Sequence, residues 1–195
     1  STALLCSRDD LPQAGAGEAT DEYRTFLGLC SHEYFHTWNV KRIRPAAFTP
    51  YDLTRENYTC LLWAFEGITS YYDTLLLRRA GLLDAERTLS RLGEAISAVE
   101  GAPARRVQSL ADASFTAWIK HYRPDENSPN VAESYYRRGS LVGWALDLVI
   151  REASGGRRSL TTKGPFGEGA TYQTPWLHAQ YFPASWITEV GVFTA

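Results

Sequence analysis

Apolar positions between Asp21 and Val40 do not keep to one side of the chain. Tyr23, Phe26, Leu27, Leu29, Cys30, Tyr34, Phe35 and Trp38 surround the axis of a 3.6-residue helix, which predicts a central helix buried on every face. Acidic residues in its first turn mark its start. A second helix is predicted from Thr54 to Arg79, with Gly81 as its stop signal. A third, capped by Asp84 and reaching Val99, is amphipathic through Leu89, Leu92 and Ile96. A shorter helix is expected from Ser109 to Tyr122, and a last one from Ser134 to Glu152, closed by Gly155-Gly156. Thr2 to Ser7 reads as a short strand and Arg8 to Thr20 as a loop. Lys41 to Leu53 reads as a basic, proline-punctuated loop, and Arg123 to Asn130 as another. Beyond Arg158 glycine, threonine, proline and aromatics follow without period. The predicted fold is mainly α with a short N-terminal β segment, one domain over residues 1–160 and a divergent tail over 161–195.

A chain of 195 residues suffices for one packed domain. Its 44% hydrophobic and 22% charged residues are ordinary for a globular protein. The formal net charge of −2 points to neither nucleic acid nor an anionic membrane as partner. No apolar run approaches the ~18–20 residues that span a bilayer. The chain opens at Ser1 and holds no methionine, so it reads as a piece of something longer. Cys6, Cys30 and Cys60 are odd in number and widely spaced. They fit neither a disulfide framework nor a cysteine zinc site. Three reduced, mostly packed thiols are expected, and with them a cytoplasmic location, a periplasmic one also being compatible.

The chemistry concentrates in His32-Glu33-Tyr34-Phe35-His36. On a helix, residues four apart stack on one face about 6 Å along the axis, so both imidazoles can reach one metal ion. Glu33, beside His32, can take a proton from a metal-bound water without being a ligand. Chance yields this pattern in roughly half a percent of shuffled chains, so the surroundings have to decide. They are apolar, and unpaired polar groups buried there would cost several kcal/mol each, which a cation relieves. A catalytic zinc takes three protein ligands and leaves a position for water. Glu66 is the best third candidate, because it interrupts the run Leu61-Leu62-Trp63-Ala64-Phe65. Gly67, next to it, costs about 1 kcal/mol in a helix interior, which implies close packing against the backbone there. Asp73, then Ser70 and Asn39, are candidates for orienting the histidines.

His-Glu-Tyr-Phe-His-Thr-Trp-Asn from His32 to Asn39, with Trp63 to Tyr72 after it, resembles the glycyl aminopeptidase family of gluzincin metallopeptidases. The resemblance covers roughly residues 1–160. It implies the helical part of a thermolysin-like catalytic domain, flanked in the full-length protein by a β-rich and a PDZ-type domain. It also implies one zinc ion, with His32, His36 and Glu66 as ligands and Glu33 as base. Tyr135-Tyr136-Arg137-Arg138-Gly139 is similar to the Tyr-x-Lys-Gly motif of related aminopeptidases, which gives Tyr136 the role of donor to the oxyanion; Arg138 stands where lysine is usual. Asp125 to Asn130 matches a family Asp-Glu-Asn-x-Pro-Asn segment and is expected at most beside the cleft. In related enzymes a glutamate on a strand before the position of Ser1 holds the substrate's amine. The expected function is zinc-dependent hydrolysis of peptides, as an aminopeptidase preferring small N-terminal residues. A zinc-binding core without turnover of its own, or a thermolysin-like endopeptidase, fits the same ligands.

Overall fold

Helices open where the sequence offers a side-chain cap. Thr20, Asp84, Ser109 and Ser134 each accept a hydrogen bond from the backbone N–H three residues on, which stabilises a helix start by about 1 kcal/mol. The structure, a computed structural model, describes residues 3–12, 15, 18–42 and 44–160. Six α-helices run through it: α1 Asp21–Phe35, α2 Ile68–Arg79, α3 Ala85–Gly101, α4 Leu110–Phe115, α5 Ser128–Val131 and α6 Tyr135–Ala153. A π-helical turn, Trp63–Gly67, leads into α2, and another, Ala117–His121, follows α4.

α2 and its π turn form the centre, with α1 on one side and α6 on the other. Two apolar clusters flank it. One holds Trp63, Ala64, Ala113, Ala117 and Tyr135; the other holds Phe35, Tyr72, Ile150 and Leu160. Buried Asp147 ties the second together, accepting from the Tyr71 hydroxyl and the Arg151 guanidinium at 2.7 Å each and from the Leu160 N–H. The close packing expected at Gly67 is present. A methyl group on Gly67 would stand 2.5 Å from the Gly139 backbone, and one on Gly139 would stand 2.6 Å from the Trp63 carbonyl. Glycine on both sides lets α6 cross the π turn at backbone contact.

Several expectations need correction. Residues 3–7 form no strand; a strand needs a neighbour for its backbone groups, and no sheet exists among the described residues. Thr2 and the tail after residue 160 lie outside the described residues. α1 ends at Phe35 rather than Val40, and tight turns with a positive φ of 141° at Val40 follow. It is also not buried all round: Phe35 is its one fully buried side chain, and Tyr34 is 62% exposed. The helix leans on α2 along one side, and its motif face lines an open cleft. The second helix starts near Trp63, not Thr54. Between them side chains capture the backbone: Asp52 accepts from the Thr54 N–H at 3.0 Å, and Asn57 donates to the Asp52 carbonyl at 2.8 Å. The thiols are free as expected, but Cys6 and Cys60 are exposed rather than packed.

Candidate metal centre

Glu66 and Asp73 are seven residues apart, two helical turns, and so lie on one face of the central helix. That face meets the histidine face of α1. The Nε2 atoms of His32 and His36 lie 3.1 and 3.2 Å from the same Glu66 carboxylate oxygen, Oε2. Each ring is held from behind by its other nitrogen. His32 Nδ1 lies 3.2 Å from the Asp73 carboxylate, and His36 Nδ1 lies 2.9 Å from the Asn39 carbonyl. A carboxylate and a carbonyl both accept, so each Nδ1 carries the proton and each Nε2 is turned toward Glu66.

Neutral imidazoles in this tautomer present two lone pairs to a carboxylate. Like electron density at such distances repels, so positive charge belongs between the three atoms: added protons or a cation. When protons supply it, the shifts are large. Burial disfavours the His32 imidazolium, but the Asp73 and Glu66 carboxylates outweigh it and push its pKa up to about 9. His36 rises too, with Glu66 and the Asn39 carbonyl overcoming burial. Burial would raise Glu66, yet the two imidazoles hold it down at about 2.

A cation fits the same atoms. Arms of about 2.0 Å in tetrahedral coordination put neighbouring ligand atoms about 3.3 Å apart, close to the two nitrogen–oxygen separations. Among the described residues, His32, His36 and Glu66 form the group able to hold a metal ion.

Asn39 builds the site from both sides. Its backbone carbonyl holds His36, while its side-chain amide donates to the carbonyls of Ala64 and Phe65 at 3.2 and 3.1 Å and to the Thr69 hydroxyl at 3.0 Å. Those carbonyls belong to the π turn that carries Glu66, where the wider helical spacing leaves backbone acceptors accessible. Thus one asparagine locks the histidine-bearing loop to the glutamate-bearing turn. Asp73 serves as expected; Ser70 lines the cleft but makes no hydrogen bond to either ring.

The centre lies in a cleft of about 1140 Å³, which Glu33 and Tyr136 also line. The Tyr136 ring centroid is 6.2 Å from that of His32. Its hydroxyl meets that of Tyr122 at 3.2 Å, and Tyr122 in turn accepts from buried Tyr135 at 3.2 Å. Burial, and then the charge of Glu66, raises the Tyr136 pKa far above its ordinary value, so it stays a protonated donor. Arg138 plays no part in the cleft. It donates to the carbonyls of Arg105 and Gln108 at 3.3 Å each and faces buried Glu133 at 3.5 Å. Asp125 to Asn130 do not line the cleft either; Asp125 instead accepts from the Asn127 N–H and the Ser128 hydroxyl, closing a local turn. The Tyr122 and Tyr135 hydroxyls went unforeseen, since nothing in their spacing separates them from packing tyrosines.

The family model for M61 glycyl aminopeptidase matches residues 25–142, from within α1 into α6. The chain belongs to that family. Among solved structures, an aminopeptidase N family protein from Idiomarina loihiensis is similar, at 47% identity and a TM-score of 0.78. The match covers 80% of this chain and 27% of that one, so the M61 chain spans about a quarter of its relative's length. No curated protein matches it. The matched M61 region contains every residue of the candidate centre: His32, Glu33, His36, Asn39, Glu66, Asp73 and Tyr136.

Proposed function

We propose that this protein is a zinc-dependent aminopeptidase that removes small N-terminal residues from peptides. The observation that carries this reading is the convergence of His32 Nε2, His36 Nε2 and Glu66 Oε2, each imidazole being fixed from behind. Two nitrogens and one oxygen suit one zinc ion with a position to spare. Bound there, zinc would supply Lewis acidity, bringing the pKa of water toward ~7 and polarising a carbonyl.

The remaining work falls to the protein. Glu33 sits next to His32 but outside the ligand group, with its carboxylate free to take a proton from the attacking water and deliver it to the leaving amine. Tyr136, kept protonated by its surroundings, donates its hydroxyl proton in a hydrogen bond to the oxygen that becomes negative as the carbonyl turns tetrahedral. Asp73 and Asn39 keep the imidazoles in the tautomer that the site needs. The family membership and the similarity to an aminopeptidase N family protein support peptide hydrolysis as the reaction class. Flanking β-rich and PDZ-type domains in the full-length protein belong to the same proposal. Among the described residues no helix is long and apolar enough to cross a membrane.

Glycyl and alanyl chromogenic amides test the activity. Glu33→Gln is expected to retain zinc and lose turnover by roughly a hundredfold or more. Undiminished hydrolysis would remove Glu33 as the base. Comparing free-amine with N-blocked peptides separates exopeptidase from endopeptidase action, and cleavage of the free-amine forms alone is expected.

A further inference from the structure

Arg91, on α3, lines the cleft beside Gly28 of α1, which lies one helical turn before His32. Its guanidinium lies against Gly28 of α1: a methyl group placed there would stand 3.7 Å from Nη1. Gly28 precedes His32 by four residues, so it shares the histidine face about 6 Å along the axis. Nη2 donates to the Arg24 carbonyl at 3.3 Å, which steadies the head group.

Among the described residues Arg91 has no ion-pair partner. Its neighbours have theirs: Arg24 pairs with Asp21 and Arg87 with Asp84. No carboxylate among the described residues lies within ion-pair distance of Arg91. Lys41 also lines the cleft, but past His36, and its side chain is exposed. Arg91 is thus a half-buried, pre-positioned fork of donors, the geometry that suits a carboxylate.

Distance and charge say which carboxylate. An extended peptide advances about 3.3 Å per residue, so two residues cover about the one turn between His32 and the Gly28 against which Arg91 lies. A cation repels the ammonium at a substrate's N-terminus, so Arg91 belongs on the side of the leaving group. We propose that Arg91 binds a peptide carboxylate one or two residues beyond the scissile bond, which makes di- and tripeptides with a free C-terminus favoured substrates. The proposal rests on the peptidase reading above for the position of the scissile bond. An acidic side chain at the same distance offers the same chemistry.

Calorimetry of Gly-Leu and Gly-Leu-Leu, each as free acid and as C-terminal amide, tests it. Measurements use zinc-loaded protein carrying Glu33→Gln, with chromatography confirming intact peptide. Gly-Glu amide and Gly-Leu-Glu amide form the side-chain arm. The free acids, or the blocked acidic peptides if the side chain is the source, are expected to bind about ten- to a hundredfold tighter than the neutral amides. Arg91→Met, which keeps the apolar stem, should abolish the preference; Arg91→Lys should keep part of it. Gly28→Glu, which sets a carboxylate against the guanidinium without removing it, should abolish it as well. Equal affinity for all forms, or a preference that survives Arg91→Met, overturns the proposal. Should the preference depend on Arg91 while protein with Glu33 intact cleaves none of these peptides, the peptidase reading fails and the carboxylate site stands.

Discussion

His32, His36 and Glu66 gather density that must be neutralised, and this sets how the metal-free protein responds to pH. Raised folded-state values for the histidines mean that their contribution to stability is complete below about 6.5 and is lost as pH rises through about 9 for His32. Glu66 behaves oppositely: its contribution is complete above about 4.5 and is lost as pH falls toward about 2. Metal-free protein is therefore expected to be most stable between about pH 4.5 and 6.5, and chelator-treated samples melted across pH 4–10 would show it. A zinc-loaded sample should keep its stability well above pH 6.5, because a metal that displaces protons binds better as pH rises. In the proposed mechanism Tyr136 acts only as charge develops on the substrate, so Tyr136→Phe should lower kcat by roughly a hundredfold with little change in KM. Tyr122→Phe removes only the hydroxyl that meets it at 3.2 Å and should cost less. A raised KM with kcat unchanged in Tyr136→Phe would instead make it a binding residue. At this scale the sequence was highly legible, because HExxH on a helix dictates where two imidazoles point. Asp73 stood first among the candidates for orienting the histidines, and the helix repeat sets it on the same face as Glu66. The two supporting tyrosines were not legible, because their hydroxyls meet through tertiary packing between residues 122 and 135–136.

Among the elements, the crossing of α6 over Trp63–Gly67 positions Glu66. Gly139→Ala places a methyl group 2.6 Å from the Trp63 carbonyl, which only movement of the helix can relieve. Overpacking of this kind costs about 1–3 kcal/mol or more. A fall in melting temperature together with weakened zinc binding is expected, whereas Gly93→Ala, which meets open space, should be neutral or stabilising. Gly139→Ala that melts like the unaltered protein would show that the contact is not required. The close approach at Gly67 could be inferred from its cost in mid-helix, though its partner could not. The π turn itself was invisible, since no periodicity signals one extra residue in a turn. Thr54 also looked helical by pattern, while Asp52 and Asn57 hold that stretch in turns through local hydrogen bonds. The cap at Asp84 was easier, because it acts on a bond only three residues away, and Thr20, Ser109 and Ser134 cap their helices in the same way.

For the whole molecule, a mainly helical core of the M61 family was readable from His32–Asn39 and Trp63–Tyr72 taken together. Burial was less so. Apolar residues all round α1 implied a central helix, yet α2 holds that place and Tyr34 faces outward. Composition cannot say which of two apolar helices lies innermost; the backbone contact between Gly67 and Gly139 decides it for the one bearing Glu66. The proposed function requires that His32 and His36 share a single divalent ion with Glu66 of the turn before α2. Metal content after zinc loading and gel filtration at neutral pH is the direct test. One zinc per chain is expected for the unaltered protein and for Glu33→Gln, with near-complete loss in His36→Ala and Glu66→Gln. A folded, unaltered protein that emerges without zinc, or a Glu66→Gln variant that retains it fully, would contradict the account.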